Sequence, residues 1–157
     1  MSSFDYKDQE GLSTLTSETF SEWSQPLLIT QEMINEYAEI SGDHMWMHVD
    51  VERCAKESPY GTTIAHGFLI LSVLPKLPGT GPSITDQVTG WGHMMNYGSD
   101  KLRFLNAVTV GSEIHSKSRI KAIEVAEHKT KVVMEQHVHA VGQDKPALIY
   151  ELVFVFL

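Results

Sequence analysis

Asp43 and His48 lie five residues apart in SGDHMWMHVD, residues 41–50. A carboxylate and an imidazole held together can position one water and exchange protons with it near neutral pH. In an unbroken helix five residues rotate by about 500°, which leaves the two side chains about 140° apart. They converge only if the chain turns, and Gly42, directly before Asp43, permits a turn. The plainer reading is an exposed corner between helices, with Asp43 as a cap and His48 incidental. Spacing alone favours that corner.

A second segment, GTTIAHG at 61–67, adds to the first. A glycine opening a buried helix leaves an unpaired backbone N–H at the positive end of the helix dipole. Such an amide at Gly67 suits a developing oxyanion, for instance an enolate. The structural alternative is that Gly67 only allows close packing of helix on sheet, and that His66 is a partly buried histidine with its hydrogen bonds met. His44 and His48 are spaced i, i+4 with Asp43 and Asp50 nearby, a pattern in which a metal site is conceivable. Without cysteine ligands or a further H-x-x-x-H the expectation is no metal. His115, His137 and His139 fall on predicted strands and read as solvated or packed, and Cys54, despite Arg53 and Lys56, reads as a packed thiol.

The elements that must hold these residues follow from periodicity. Thr30 caps a helix over TQEMINEYAEI, whose Met33, Ile34, Tyr37, Ala38 and Ile40 fall on one stripe, and Gly42 ends it. Asp50 caps a short helix over VERCAKES, stopped at Ser58-Pro59. Thr62 and Thr63 offer caps for IAHGFLILSVLPKL, apolar on every side from Phe68 to Leu74 except at Ser72, and so expected to be buried all round. PGTGPSITD, 78–86, reads as loop. Before these, residues 1–20 read as a polar lead-in to a single domain over 21–157, and EWSQPLLIT as an edge strand or extended entry. KLRFLNAV, SEIHSKSRIKAIEV, TKVVMEQHVHAV and ALIYELVFVFL read as four antiparallel strands. A buried helix followed by a meander implies an α+β layer pair, a sheet curled around the helix.

Composition narrows the classes of partner. With 157 residues, 42% hydrophobic and 20% charged, the chain holds one domain with a real core. A formal charge of −8, from 12 basic and 20 acidic residues, opposes a nucleic-acid or anionic-membrane surface. One cysteine fits a reducing compartment, the N-terminus lacks the basic-then-apolar order of a signal peptide, and FLILSVL is far too short to span a bilayer. The expectation is a cytoplasmic protein.

YAEISGDHMWMHVDVERC, GTTIAHGFLILSVLP, NYGSDKLRF and the closing KPALIYELVF together resemble the MaoC-like dehydratase family, in its NodN-like branch, related to the (R)-specific enoyl-CoA hydratases. The resemblance runs in order from about Ser21 to the C-terminus, and the G-D-x4-H-x-D pattern joined to A-H-G makes it specific. It implies a hot-dog fold, with an antiparallel sheet wrapped around one long helix. It implies hydration of a trans-2-enoyl-CoA, or the reverse dehydration, with Asp43 and His48 holding the water and the Gly67 N–H binding the thioester oxygen. His66, Met45 and Asn96 are the further substrate-contact candidates, Asn96 because the family places its strand near the site. No metal or redox cofactor is required. Where the hydratases carry Asn-Pro and NodN-like members Gln-Trp, this chain has Met45-Trp46. A serine that supports the acid in some hydratases falls at Pro75, so that role is either vacant or moved to Ser72. A hot-dog thioesterase, which would carry its acid on the central helix, and a non-catalytic acyl-thioester binding protein are the alternatives. A homodimer is expected, with any higher assembly left open, because Ile149, Val153, Val155 and Leu157 need cover if Leu148, Tyr150, Leu152, Phe154 and Phe156 face the helix.

Overall fold

Much of the polar N-terminal segment from residue 4 onward carries structure. In the computed structural model, which describes residues 3–157, β1 (Phe4–Asp5) pairs in parallel with Val88–Thr89, and α1 (Gln9–Ser13) follows. Asp8 caps α1 by accepting the Gly11 N–H at 2.9 Å. Leu12 is fully buried beside Ile84, Val88, Val132, Phe154 and Phe156, with Phe4, Tyr6 and Leu15 packed around them. A few apolar residues spaced among polar ones therefore close one end of the core.

From there the chain runs along a sheet edge. The N–H groups of Ser17, Ser21 and Ser24 donate to the carbonyls of Ile120, Ser118 and Ser116. The hydroxyls of Ser21 and Ser24 accept the N–H groups of Ser118 and Ser116 at 3.1 and 3.0 Å. β2 (Leu27–Leu28) pairs with the same strand at its start, so EWSQPLLIT is an edge segment as expected.

Next, α2 (Gln31–Ser41) starts at Thr30, whose hydroxyl accepts the Met33 N–H, and ends at Gly42 with φ +77, a left-handed conformation that glycine adopts freely. Ile34 and Ala38 are buried, while Ile40 is exposed, off the stripe. Two short helices follow, α3 (Trp46–Val49) and α4 (Val51–Glu57), the second capped by Asp50 through the Arg53 N–H.

The central helix is shorter than its apolar run. α5 (Gly67–Ser72) begins at Gly67, not at the threonines, and passes into a 3₁₀ turn at Leu74–Lys76 that takes in Pro75. Residues 64–65 are instead held by strand-like bonds: Ile64 bridges Thr109, and the Ala65 N–H donates to the Val108 carbonyl at 2.8 Å. Leu69 and Ile70 are buried, but Phe68 is 57% exposed, so the helix has one open side. After a loop, Ser83 caps α6 (Ile84–Gln87), which leads into β3 (Val88–Thr89).

The four predicted strands are all present: β4 (Met94–Phe104), β5 (Glu113–Ala126), β6 (Lys129–Ala140) and β7 (Leu148–Phe156). The first starts earlier than expected and stops at Phe104. The order is β2-β5-β6-β7-β4, antiparallel throughout, so β4 ends one edge beside β7. The sheet and α5 enclose Leu74, Leu77, Ile114, Val138 and Leu148 in a second core cluster with Ile34. On β7 the expectation about uncovered residues is corrected: Val153 and Val155 are 1% and 4% exposed within the single subunit, leaving Leu157 as the exposed member. Four of the exposed large apolar side chains lie on β4 and just after it, at Met95, Tyr97, Phe104 and Leu105; others are scattered, among them Leu28, Val51 and Val141.

Candidate active site

The left-handed turn at Gly42 releases Asp43 from α2 before α3 begins, and this is the turn that the pair needs. The Asp43 N–H donates to Ser41 Oγ at 3.2 Å, and one carboxylate oxygen accepts the Met45 N–H at 3.2 Å. Asp43 itself stays exposed.

His48, in the last turn of α3, is 8% exposed, and its Nδ1 donates to the Ile64 carbonyl at 2.7 Å. A carbonyl only accepts, so Nδ1 carries the proton and Nε2 keeps its lone pair. The two chain segments are joined again by Gln31, whose Nε2 donates to the His48 carbonyl at 2.8 Å and whose Oε1 accepts the Thr63 hydroxyl. Thr63 is fully buried, its carbonyl accepts the Val110 N–H, and it caps no helix. Gln31 reads in the sequence as a polar first-turn residue, and nothing local marks its bond seventeen residues away.

His66, 3% exposed, caps α5 by position and stacks on His48 with ring centroids 3.8 Å apart and planes 25° from parallel. Its Nε2 donates to the main-chain carbonyl of Asp43 at 2.9 Å, and its Nδ1 is buried with no partner. Burial pushes the His66 pKa below its ordinary value, and nearby His48 adds to that against the opposing bond to the Asp43 carbonyl. Asp43, His48 and His66 each bring one donor atom within 4.8 Å of the others.

Gly67 starts α5 immediately beyond. A Cβ there would meet the Phe104 ring at 2.8 Å, so only glycine fits beneath that ring. Gly67 and His48 line one cavity of about 320 Å³, together with Tyr60, Ile70, Phe104 and Asn106. Asp43, His48, His66 and Gly67 are thus brought together. Met45 sits beside Asp43 at the start of α3, 47% exposed and outside that cavity's lining. Asn96 is on β4 opposite Phe154 and lines a separate cavity of about 820 Å³ with Ser72, Pro75, Gln136 and Tyr150. Within one subunit it does not join the pair.

Several other candidates settle elsewhere. His44 is exposed and bonds Glu39 at 2.8 Å, an interaction that raises its pKa. The i, i+4 histidine spacing therefore pointed to the wrong neighbour for His48. The Ser72 hydroxyl donates to the Phe68 carbonyl at 2.6 Å and does not support Asp43. His115 stacks on Trp23 at 3.9 Å, His137 bonds Glu135, and His139 bonds the Gln143 carbonyl. Cys54 is buried against the Trp46 carbonyl, and burial raises its pKa. Among the described residues no helix is long and apolar enough to cross a membrane.

Comparison with known proteins places this chain in a family. Residues 16–143 match the family described as MaoC like domain. A 3-hydroxyacyl-thioester dehydratase Z of Mycobacterium tuberculosis is 39% identical over 132 residues, covering 83% of this chain and 82% of that protein. Nodulation protein N of Rhizobium meliloti is 36% identical over 132 residues, covering 82% and 76%. Among solved structures, the (R)-hydratase from A. caviae superposes with a TM-score of 0.65 at 21% identity, over 88% of this chain and 96% of that one. A MaoC-like dehydratase from Rhodospirillum rubrum superposes with a TM-score of 0.71 at 16% identity, over 93% and 95%.

Proposed function

This chain belongs to the MaoC-like dehydratase family and is a hydro-lyase, and from that premise we propose that it adds water (R)-specifically to trans-2-enoyl-CoA thioesters, or removes it in reverse, at Asp43 and His48. The observation that carries the reading is the fixed tautomer of His48. Its Nδ1–H is committed to the Ile64 carbonyl, so Nε2 is ready to take a proton from a water that an Asp43 oxygen also holds.

The water oxygen then bonds the β-carbon while the C=C electrons move toward the thioester, giving an enolate. The enolate oxygen meets the Gly67 N–H, whose donor is fixed before the charge develops. The proton taken from the water is returned to the α-carbon, so the sum is addition of H and OH and the thioester bond stays intact. Dehydration runs the same steps backwards. The acyl chain enters the cavity that His48 and Gly67 line, with His66 stacked on His48 behind the water. A homodimer is the assembly in which this site works.

A thioesterase is the reading against which to test it. That chemistry would draw on the central helix, where α5 offers apolar residues and a Ser72 hydroxyl already bonded to Phe68. Crotonyl-CoA separates the cases: loss of enoyl absorbance without free thiol is expected. Release of thiol would replace hydration by hydrolysis, and neither signal would leave a binding protein.

A further inference from the structure

Two histidines in this site carry the tautomers of metal ligands, and the hydration reading uses only one of them, His48. Metal-bound imidazoles commonly donate their second ring N–H to a carbonyl or carboxylate, which fixes the tautomer and aims the lone pair at the ion. His48 does this through Nδ1 to the Ile64 carbonyl at 2.7 Å, and His66 through Nε2 to the Asp43 carbonyl at 2.9 Å. The nitrogens left over are His48 Nε2 and His66 Nδ1. The second of these is buried without a hydrogen-bond partner, an arrangement that destabilises the fold unless something fills it.

We propose that Asp43, His48 and His66 form a site for a divalent transition-metal ion such as Zn²⁺, which binds through one carboxylate oxygen and two imidazole nitrogens and displaces the water held there. The donors already lie within 4.8 Å of one another. A Zn²⁺ ion with bonds of about 2.0–2.2 Å needs them somewhat closer, and the exposed carboxylate of Asp43 supplies that movement. Two imidazoles and one carboxylate are a donor set that Zn²⁺ accepts while leaving a fourth position open. Neither histidine has to lose a proton to bind, because both lone pairs are free in the tautomers that the carbonyls fix. His44, the histidine nearest in sequence, is not part of the set, since it is turned to Glu39.

The ion acts here as an inhibitor. It takes the lone pairs that hold the water, and it is removed by a chelator. The binding claim stands on the three donors alone; the inhibition rests on the hydration reading above.

The test uses the full chain and the metals themselves. Co²⁺ titrated into the purified protein should give the visible ligand-field absorption of a low-coordinate site, and Zn²⁺ should abolish it at one equivalent per chain. Asp43→Asn, at an exposed position, and His66→Gln should each weaken Zn²⁺ binding by calorimetry at least as much as the roughly 10–100-fold that loss of an outer-shell partner costs. His44→Ala should leave binding unchanged. No cobalt band, or binding that survives Asp43→Asn but not His44→Ala, would overturn the site. If His66→Gln fails to fold, Asp43→Asn decides alone. With crotonyl-CoA, Zn²⁺ should suppress hydration and EDTA restore it. A protein that binds Zn²⁺ at these residues yet never hydrates crotonyl-CoA would keep the metal site and remove the hydratase reading.

Discussion

His48 and His66 lie face to face, 3.8 Å between ring centroids, and each spends one nitrogen on a main-chain carbonyl from the other's neighbourhood: His48 on Ile64, His66 on Asp43. The two bonds lace the turn after α2 to the segment before α5. Burial, and then the neighbouring His48, favour the neutral ring of His66.

That neutrality gives stability a pH dependence. The folded-state pKa of His66 lies below its ordinary value through burial and then His48; that of His115 is lowered by burial and then His139 and Lys117. The unfolded chain therefore binds these protons first on acidification. Their contribution is complete above pH about 6.5 and is lost as the pH falls from there through the folded values. Urea midpoints measured from pH 7.5 down to 5 should fall, and His66→Gln should make the slope shallower. An unchanged slope in the variant would assign the acid sensitivity to other groups.

For the pair itself, Asp43→Asn and His48→Gln should each lower turnover by about 10²–10⁴, the scale of a lost general acid or base. Far-ultraviolet circular dichroism should be unaltered. A variant with near-parental turnover removes its residue from the mechanism.

Gly67→Ala keeps the N–H but drives a methyl group into Phe104, 2.8 Å away. Stability should drop by about 1–3 kcal/mol, the usual range for overpacking, and turnover with it. Adding Phe104→Ala should restore both, since the amide is untouched. Recovery of stability without turnover would show that Phe104 serves the substrate directly.

Gln31→Ala strands a buried hydroxyl at Thr63 and frees the His48 carbonyl. We expect a loss of about 1–3 kcal/mol from the unmet polar groups, read from chemical denaturation, with turnover reduced because His48 is no longer pinned. Thr63→Val with Gln31→Leu, which removes both partners, should cost less than Gln31→Ala alone. The reverse order would mean that the bond is not the reason for Gln31.

Association should proceed through β4. Sedimentation at micromolar concentration should give twice the chain mass, and Tyr97→Lys on the exposed strand should shift it toward the monomer. A fully active monomer contradicts the dimer.

What could be read from the sequence was what is local. Gly42, Thr30 and Asp50 punctuate short helices by their own backbone and side-chain chemistry, and alternation along β5 and β6 marks strands without reference to anything distant. Gly67 was legible only in part: a glycine before an apolar run allows close packing, which Phe104 shows, but the helix was expected to start at the threonines instead. Thr63 was misread outright. Threonine ahead of such a run looks like a cap, but pairing of Ile64 with Thr109 and the bond to Gln31 claim the segment first. Phe104 over Gly67, Leu12 in the far core and the cover over Val153 are all contacts between distant parts of the chain, and no spacing rule carries them.

The serine-bonded segment along β5 has a consequence for how large an assembly can become. A sheet is a tile with two sides that can accept another tile, and here residues 17–24 seal one of them with main-chain and hydroxyl bonds. A tile with a single open side would stop at a pair, the assembly that sedimentation is expected to find. Removing the first 25 residues would reopen the second side, and the expected product is a growing filament that scatters light, where the full chain stays in solution.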